Sequence, residues 1–122
     1  MIETKQINFN VFRIKLELRD DIPKGYCDDS FGGVDCHPNK NGIFRIWFKT
    51  IPRWDVIAHE IWHLFFTIMS NADSYNHTFD ELNNEIYAYN FQHLYDLILT
   101  SLRNMKLYKK CYDEMHKTKE NK

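Results

Sequence analysis

The sequence predicts an α+β fold, with a small antiparallel or mixed sheet packed on two long helices in a single domain. Residues 7–48 contain short segments of alternating apolar and polar residues, separated by turn residues. Residues 54–70 and 80–102 contain neither Gly nor Pro and are long enough for several helical turns. The chain has 122 residues, 16% of them aromatic, which is enough to build one hydrophobic core.

The first β segment spans residues 7–18. Apolar residues alternate at Ile7, Phe9 and Val11, and then in the opposite phase from Phe12 to Leu18. This change of phase predicts either one strand with a bulge or two short strands. Residues 20–25, with Pro and Gly after two Asp, predict a turn.

A β-hairpin is predicted next, with residues 34–37 and 43–48 as its strands. The connecting residues 38–42 read Pro-Asn-Lys-Asn-Gly, which strongly favours a turn. The second strand leads directly into the first helix. The preceding loop, residues 28–35, is expected to shape side-chain pockets whose form the sequence does not define.

The first helix, residues 54–70, carries the motif His-Glu-x-x-His at His59, Glu60 and His63. Asp55 lies in its first turn, where a negative charge suits the helix dipole. On a helix the two histidines stand one turn apart on one face and can bind one zinc ion, with Glu60 beside them to transfer protons.

The alternative is an ordinary core helix that happens to contain two histidines. Between residues 56 and 69 the only charged residue is Glu60, so the helix is predicted to be buried. Burying two histidines and a carboxylate without a partner is costly, and a bound metal removes most of that cost. The sequence therefore favours a metal site.

A catalytic zinc site usually has three protein ligands, so one more must come from elsewhere. The metzincin arrangement needs Gly at position 66 and His at position 69, but the chain has Phe66 and Met69 there. The second helix, residues 80–102, offers Glu85, which lies 22 residues after His63 and follows a polar loop that lets the chain reverse. Glu81, one turn earlier, is the alternative ligand.

The two motifs together resemble those of the gluzincin class of zinc metallopeptidases, to which thermolysin belongs. The resemblance rests on His59-Glu60-x-x-His63, its apolar frame, and Asn84-Glu85-x-x-Ala88 about twenty residues later, and it covers residues 42–99. Within this class the short length looks most like small phage-encoded metallopeptidases. The repressor-cleaving ImmA/IrrE-type peptidases are a second similar group.

This resemblance implies a minimal zincin-like domain that uses Zn²⁺ to hydrolyse a peptide or protein substrate. His59, His63 and Glu85 would bind the zinc, and Glu60 would be the general base. Residues 43–49 are predicted to pair with an extended substrate, as zincin strands and edge strands in general do. The alternative is an ordinary sheet strand with Trp47 in the core.

Two positions depart from the thermolysin pattern. Where that family has an Asp that orients the first histidine, this chain has Tyr89, whose hydroxyl or a backbone carbonyl must serve instead. The residue that stabilises the transition state is also not identified by the motif. Its candidates are Tyr75, His77, Tyr87, Tyr89 and His93.

Composition excludes several other classes. The net charge of −1 and pI near 6.6 argue against nucleic-acid binding. The sequence has no apolar run of membrane-spanning length, and its N-terminus does not resemble a secretory signal. The three cysteines form no C-x-x-C pair, which favours a reducing cytoplasm: that of the host if the protein is phage-encoded, with a virion as the other option. Cys27, Cys36 and His37 are interpreted as incidental rather than as a second metal site.

The predicted domain spans residues 1–105, followed by a charged tail, residues 106–122, that is expected to fray beyond one or two helical turns. Three functions remain open. The first is a zinc peptidase, the second a non-catalytic phage structural or binding protein stabilised by metal, and the third a zinc hydrolase acting on another bond. A two-His, one-carboxylate set can also bind iron or manganese. The substrate and the oligomeric state are not defined by the sequence.

Overall fold

A computed structural model describes residues 1–50, 52–72 and 81–120, with the side chains of 72, 81–84 and 116–120 left aside. Within these residues the element order is β1 (Ile2–Phe9), β2 (Phe12–Arg19), β3 (Gly32–Val34), β4 (Ile43–Lys49), α1 (Trp54–Ala72), α2 (Glu81–Arg103) and α3 (Lys106–Glu120). None of the described helices combines the length and the apolar character needed to cross a bilayer.

The four strands form a mixed sheet in the order β1-β2-β4-β3. β1 and β2 are antiparallel, β2 and β4 are parallel, and β3 and β4 are antiparallel. A mixed sheet with helices confirms the predicted α+β fold.

The change of phase in the N-terminal segment marks a hairpin turn between two strands. Phe9 pairs with Phe12, and the two residues between them form the turn. Asn10 adopts φ 54°, a left-handed conformation that Asn tolerates better than most residues. Of the two predicted alternatives, two separate strands are observed, and β1 begins earlier than expected, at Ile2.

The predicted role of residues 43–49 as a substrate-pairing edge strand is wrong. β4 is paired with β2 on one side and with β3 on the other, so its backbone groups are already used within the sheet. The edge beside β4 is instead formed by β3, which starts at Gly32 rather than at the predicted residue 34. A three-residue strand containing two glycines has little strand propensity of its own, which is why the sequence placed the first strand of this hairpin at residues 34–37 and not at Gly32–Val34.

The helices hold to their predicted positions, except at the C-terminus. α1 and α2 occupy the two predicted segments, and α3 is a 15-residue helix where a frayed tail was expected. Glu3 of β1 explains part of this order, because its carboxylate accepts hydrogen bonds from the backbone N–H of Lys106 (3.0 Å) and Leu107 (2.6 Å). These are N–H groups that a helix start leaves without partners, so Glu3 acts as a cap from another element.

The hydrophobic core lies between one face of the sheet and the helices. Its buried residues include Ile14, Leu16, Leu18, Phe44, Ile46 and Phe48 from the strands, and Ile57, Ile61, Leu64, Ile68, Leu94, Ile98 and Leu102 from α1 and α2. Each fully buried aliphatic side chain contributes about 1.5–3 kcal/mol.

The predicted burial of α1 is confirmed for one face of the helix only. Its inner face is in the core, but Trp62 and Phe66 on its outer face are 54% and 62% exposed. This mostly apolar segment therefore forms a helix with one buried face and one exposed aromatic face.

The other face of the sheet is covered by the loop after β2. Trp47 is fully buried there, on the side away from the helices, with the ring of Tyr26 5.1 Å from its own. A Cβ at Gly33 would lie 2.4 Å from Tyr26 Cε1 and 2.6 Å from Trp47 Nε1, so only glycine permits this packing.

An ionic network accompanies Trp47 on this face. The buried carboxylate of Glu17 lies 3.0 Å from Lys15 Nζ, 3.0 Å from Arg19 Nη1 and 3.6 Å from Arg45 Nη1. Arg45 also donates two hydrogen bonds to Asp35, whose Oδ1 accepts another from the hydroxyl of Tyr26. Arg19 donates likewise to both oxygens of Asp21. Each carboxylate in the network is matched by a cation.

Candidate metal centre

The position of the motif on α1 follows from which residues of the helix face the core. Ile57, Ile61 and Leu64 are buried against the sheet. Because successive residues are 100° apart, His59 and His63 fall on the outer face, and the side chain of His59 is 68% exposed. Glu60 falls between the two faces and is buried to 9% exposure.

The two histidines converge on one point. His59 Nε2 and His63 Nε2 lie 3.0 Å apart, with the rings nearly perpendicular at 81°. Two nitrogens each about 2.0–2.1 Å from a tetrahedral zinc would be about 3.4 Å apart. The ligand atoms of His59, Glu60 and His63 all lie within 4.8 Å of one another, and this group could hold a metal ion.

Glu60 is the buried member of this group. Its carboxylate Oε1 lies 3.9 Å from His59 Nε2, and within the described part of the chain no hydrogen-bond donor contacts it. Burial raises the pKa of Glu60 above its ordinary value, while the charges of His59 and His63 act in the opposite direction. A carboxylate in this environment is a better proton acceptor near neutral pH than an exposed one.

β3 presses against Glu60 from the side of the sheet. A Cβ at Gly32 would lie 3.1 Å from Glu60 Cγ and 3.1 Å from Phe48 Cδ1, so the absence of a side chain lets the strand approach the carboxylate. Between β3 and α1 lies an open cleft of about 310 Å³. It is lined by Phe31, Gly32, Asp55, Val56, His59 and Glu60.

Glu85 is not brought to the histidine pair. It is exposed on α2 and is not a member of the group formed by the described residues. α2 contacts α1 through two aromatic pairs. The ring centres of Phe91 and Trp62 are 5.5 Å apart, and those of Tyr87 and Phe65 are 6.3 Å apart. At 100° per residue, Glu85 stands about 120–160° around the helix from these contact positions. The side chain of Glu81 lies outside the described residues.

The proposed accessory residues are also not gathered at the pair. Tyr89 is 69% exposed, His93 is exposed with its ring 5.6 Å from that of Phe9, and Tyr87 packs on Phe65. Tyr75 and His77 lie outside the described residues.

No second metal cluster forms within the described ranges. Cys27 and Cys36 are free and exposed, and neither joins His37 in a ligand group. Phe31 and Gly32 are the site residues that sequence reasoning did not identify individually, since it assigned them to a loop that shapes pockets. Their signal was the Gly-Gly pair, whose small size allows close approach of two backbones.

No protein-family model, no curated protein and no solved structure matches this chain.

Proposed function

We propose that this protein is a zinc-dependent peptidase in which His59 and His63 bind the metal and Glu60 is the general base. The observation that supports this most is the 3.0 Å separation of the two Nε2 atoms next to a buried carboxylate that no described donor neutralises. A structural histidine pair needs no such acid beside it.

The donor set suits zinc, which binds imidazole nitrogen and carboxylate oxygen in a tetrahedral arrangement. Zinc bound there would lower the pKa of a coordinated water and polarise a substrate carbonyl. Glu60 would accept the proton of the attacking water and return it to the leaving amine. Its burial keeps the carboxylate in place for both transfers.

The substrate strand is proposed to pair with β3 instead of β4. β3 is the edge strand, and Gly32 brings it into contact with Glu60. An extended peptide added to this edge would place its backbone beside the histidine pair, with a side chain entering the cleft.

Glu85 remains the proposed third ligand, as the resemblance to gluzincins implies. Its place on the far side of α2 from the α1 contacts means that the first turns of α2 must rotate for it to reach the metal. A rotation of this kind would be driven by the metal–carboxylate bond, since metal binding contributes its free energy to folding.

One observation favours a second candidate, a non-catalytic metal-stabilised protein such as a phage structural or binding component. Within the described residues no third ligand other than Glu60 lies near the pair. If Glu60 itself binds the metal, the site has no base.

The test is hydrolysis of an unstructured protein such as casein by the metal-free, zinc-loaded and chelated forms. We expect activity only with zinc, and its loss in His63→Ala, with His37→Ala as a control at an exposed histidine outside α1. Zinc binding without hydrolysis would support the non-catalytic alternative.

A further inference from the structure

The cleft between β3 and α1 lies directly beside the candidate metal centre. Glu60 and His59 form part of its wall, so a side chain bound in the cleft would lie next to the histidine pair. A volume of about 310 Å³ is at the lower end of the range for ligand pockets and is sufficient for one long side chain.

The walls of this cleft combine apolar surface with negative charge. Phe31, which is 61% exposed, and Val56 provide the apolar surface. The two charged groups in the lining, Asp55 and Glu60, are both carboxylates. Glu60 is nine-tenths buried and receives no hydrogen bond from any described residue.

Asp55 at the rim already binds a cation of the chain. The guanidinium of Arg53 donates to its two oxygens at 3.1 and 2.8 Å, and the side chains are 79% and 65% exposed. An exposed ion pair of this kind contributes little to stability, so another cation can replace Arg53 at low cost. A second lining residue, Phe31, also lies next to a cation of the chain, because the ammonium of Lys49 is 5.7 Å from its ring centre.

We propose that this cleft receives a basic side chain, lysine or arginine, of the peptide substrate. The aliphatic part of that side chain packs on Phe31 and Val56, and its charged end replaces Arg53 as the partner of Asp55. This inference rests on the proposed peptidase function and adds a substrate class to it.

Two substitutions are expected to act in opposite directions. With peptides that differ only in lysine, norleucine or glutamate at one position, we expect wild type to cleave the lysine peptide about two- to fivefold faster in kcat/KM than the norleucine peptide, the preference that one exposed ion pair can give. Asp55→Asn should bring this ratio close to one. Arg53→Ala should raise it, because Asp55 loses its internal competitor. Equal ratios in all three proteins would overturn the proposal.

A binding measurement keeps the inference testable if no peptide is cleaved. N-acetyl-lysine methylamide and its norleucine analogue are titrated into metal-free protein, and the amide signals of Gly32 and Val56 are followed by NMR. Shifts with the lysine compound only, reduced in Asp55→Asn, support the pocket even if the peptidase proposal fails. The same compound with a free α-amine tests whether an N-terminal ammonium binds instead. Binding of that form alone, or no shift at all, contradicts the proposal.

Discussion

Two clusters of charged side chains lie on opposite sides of the sheet. They differ in whether the buried carboxylate of each cluster has cationic partners. Around Glu17, the carboxylates are matched by Lys15, Arg19 and Arg45 at hydrogen-bonding or ion-pair distance. Around Glu60, the titratable groups that the described residues bring close are the imidazoles of His59 and His63, and its Oε1 is 3.9 Å from His59 Nε2.

The difference separates a structural network from a candidate functional site. The buried carboxylate of Glu17 has its hydrogen-bonding capacity used within the fold, and its neighbour Arg45 also binds Asp35, the partner of Tyr26 in the covering loop. A buried carboxylate that contacts no described donor, beside two exposed and converging nitrogens, retains the capacity to bind a ligand or a proton. Burial alone does not distinguish the two, because both glutamates are at most 9% exposed.

A large effect on zinc affinity is expected at Glu85, the proposed third metal ligand. Glu85→Ala should weaken zinc binding by at least about tenfold, because a zinc site that loses a carboxylate ligand depends on the two histidines alone. Affinity is measured by competition with a chromophoric chelator, with Glu81→Ala as the matched control. The opposite pattern would assign Glu81, and no effect in either variant would show that α2 does not complete the shell.

Breaking the ionic network around Glu17 should lower the unfolding free energy and leave zinc affinity unchanged. Arg19→Met removes one of the three cations around the buried Glu17 and the partner of Asp21, and it should cost about 1.5–3 kcal/mol of unfolding free energy in urea denaturation. Arg53→Met, which breaks an exposed pair, should cost less than about 1 kcal/mol. Zinc affinity should be the same in both. A loss of affinity in Arg19→Met would mean that the two clusters are coupled.

The two glycines of β3 allow the clusters to be perturbed from one strand. Gly32→Ala places a methyl group against Glu60 and should mainly lower kcat. Gly33→Ala places a methyl group against Tyr26 and Trp47 and should mainly lower the unfolding free energy. An overpacked core position costs about 1–3 kcal/mol. Hydrolysis and thermal unfolding of both variants test this, and equal loss of kcat in the two would contradict it.

The smallest effect is a pH dependence of the network. Burial, with the hydrogen bond to Asp35, raises the pKa of Tyr26 from 10.0 to about 12. The stabilisation linked to its protonated form is therefore complete below pH 10.0 and is lost as the pH rises towards about 12. Tyr26→Phe lacks this ionisation. Between about pH 9 and about pH 11.5, a range that includes the ordinary tyrosine pKa, its unfolding free energy should therefore fall less than that of wild type. Parallel pH profiles would exclude this role.

The fold class and the histidine pair were accessible from the sequence because both depend on local spacing. A helix without Gly or Pro places His59 and His63 one turn apart regardless of what surrounds it. The positions of β3 and Glu85 were not accessible in this way. Whether β4 has a free edge depends on a three-residue strand with little propensity of its own, and the direction in which Glu85 faces depends on how α2 is rotated against α1. Both are set by tertiary packing, which overrides local pattern.

The exposure of the outer face of α1 was likewise not predicted from the sequence. A segment whose only charged residue is Glu60 predicted a buried helix, yet Trp62 and Phe66 remain more than half exposed, since apolar residues also occur on surfaces. Hydrophobicity indicated that the helix packs, and only the structure shows which face does so.

The most direct test of the central claim compares zinc affinity and hydrolysis in wild type and Glu60→Gln. If His59 and His63 bind the metal and Glu60 is the base, the variant retains zinc affinity within about threefold and loses hydrolysis by at least about 100-fold. A variant that still hydrolyses substrate normally, or one that loses zinc together with activity, would contradict this division of roles.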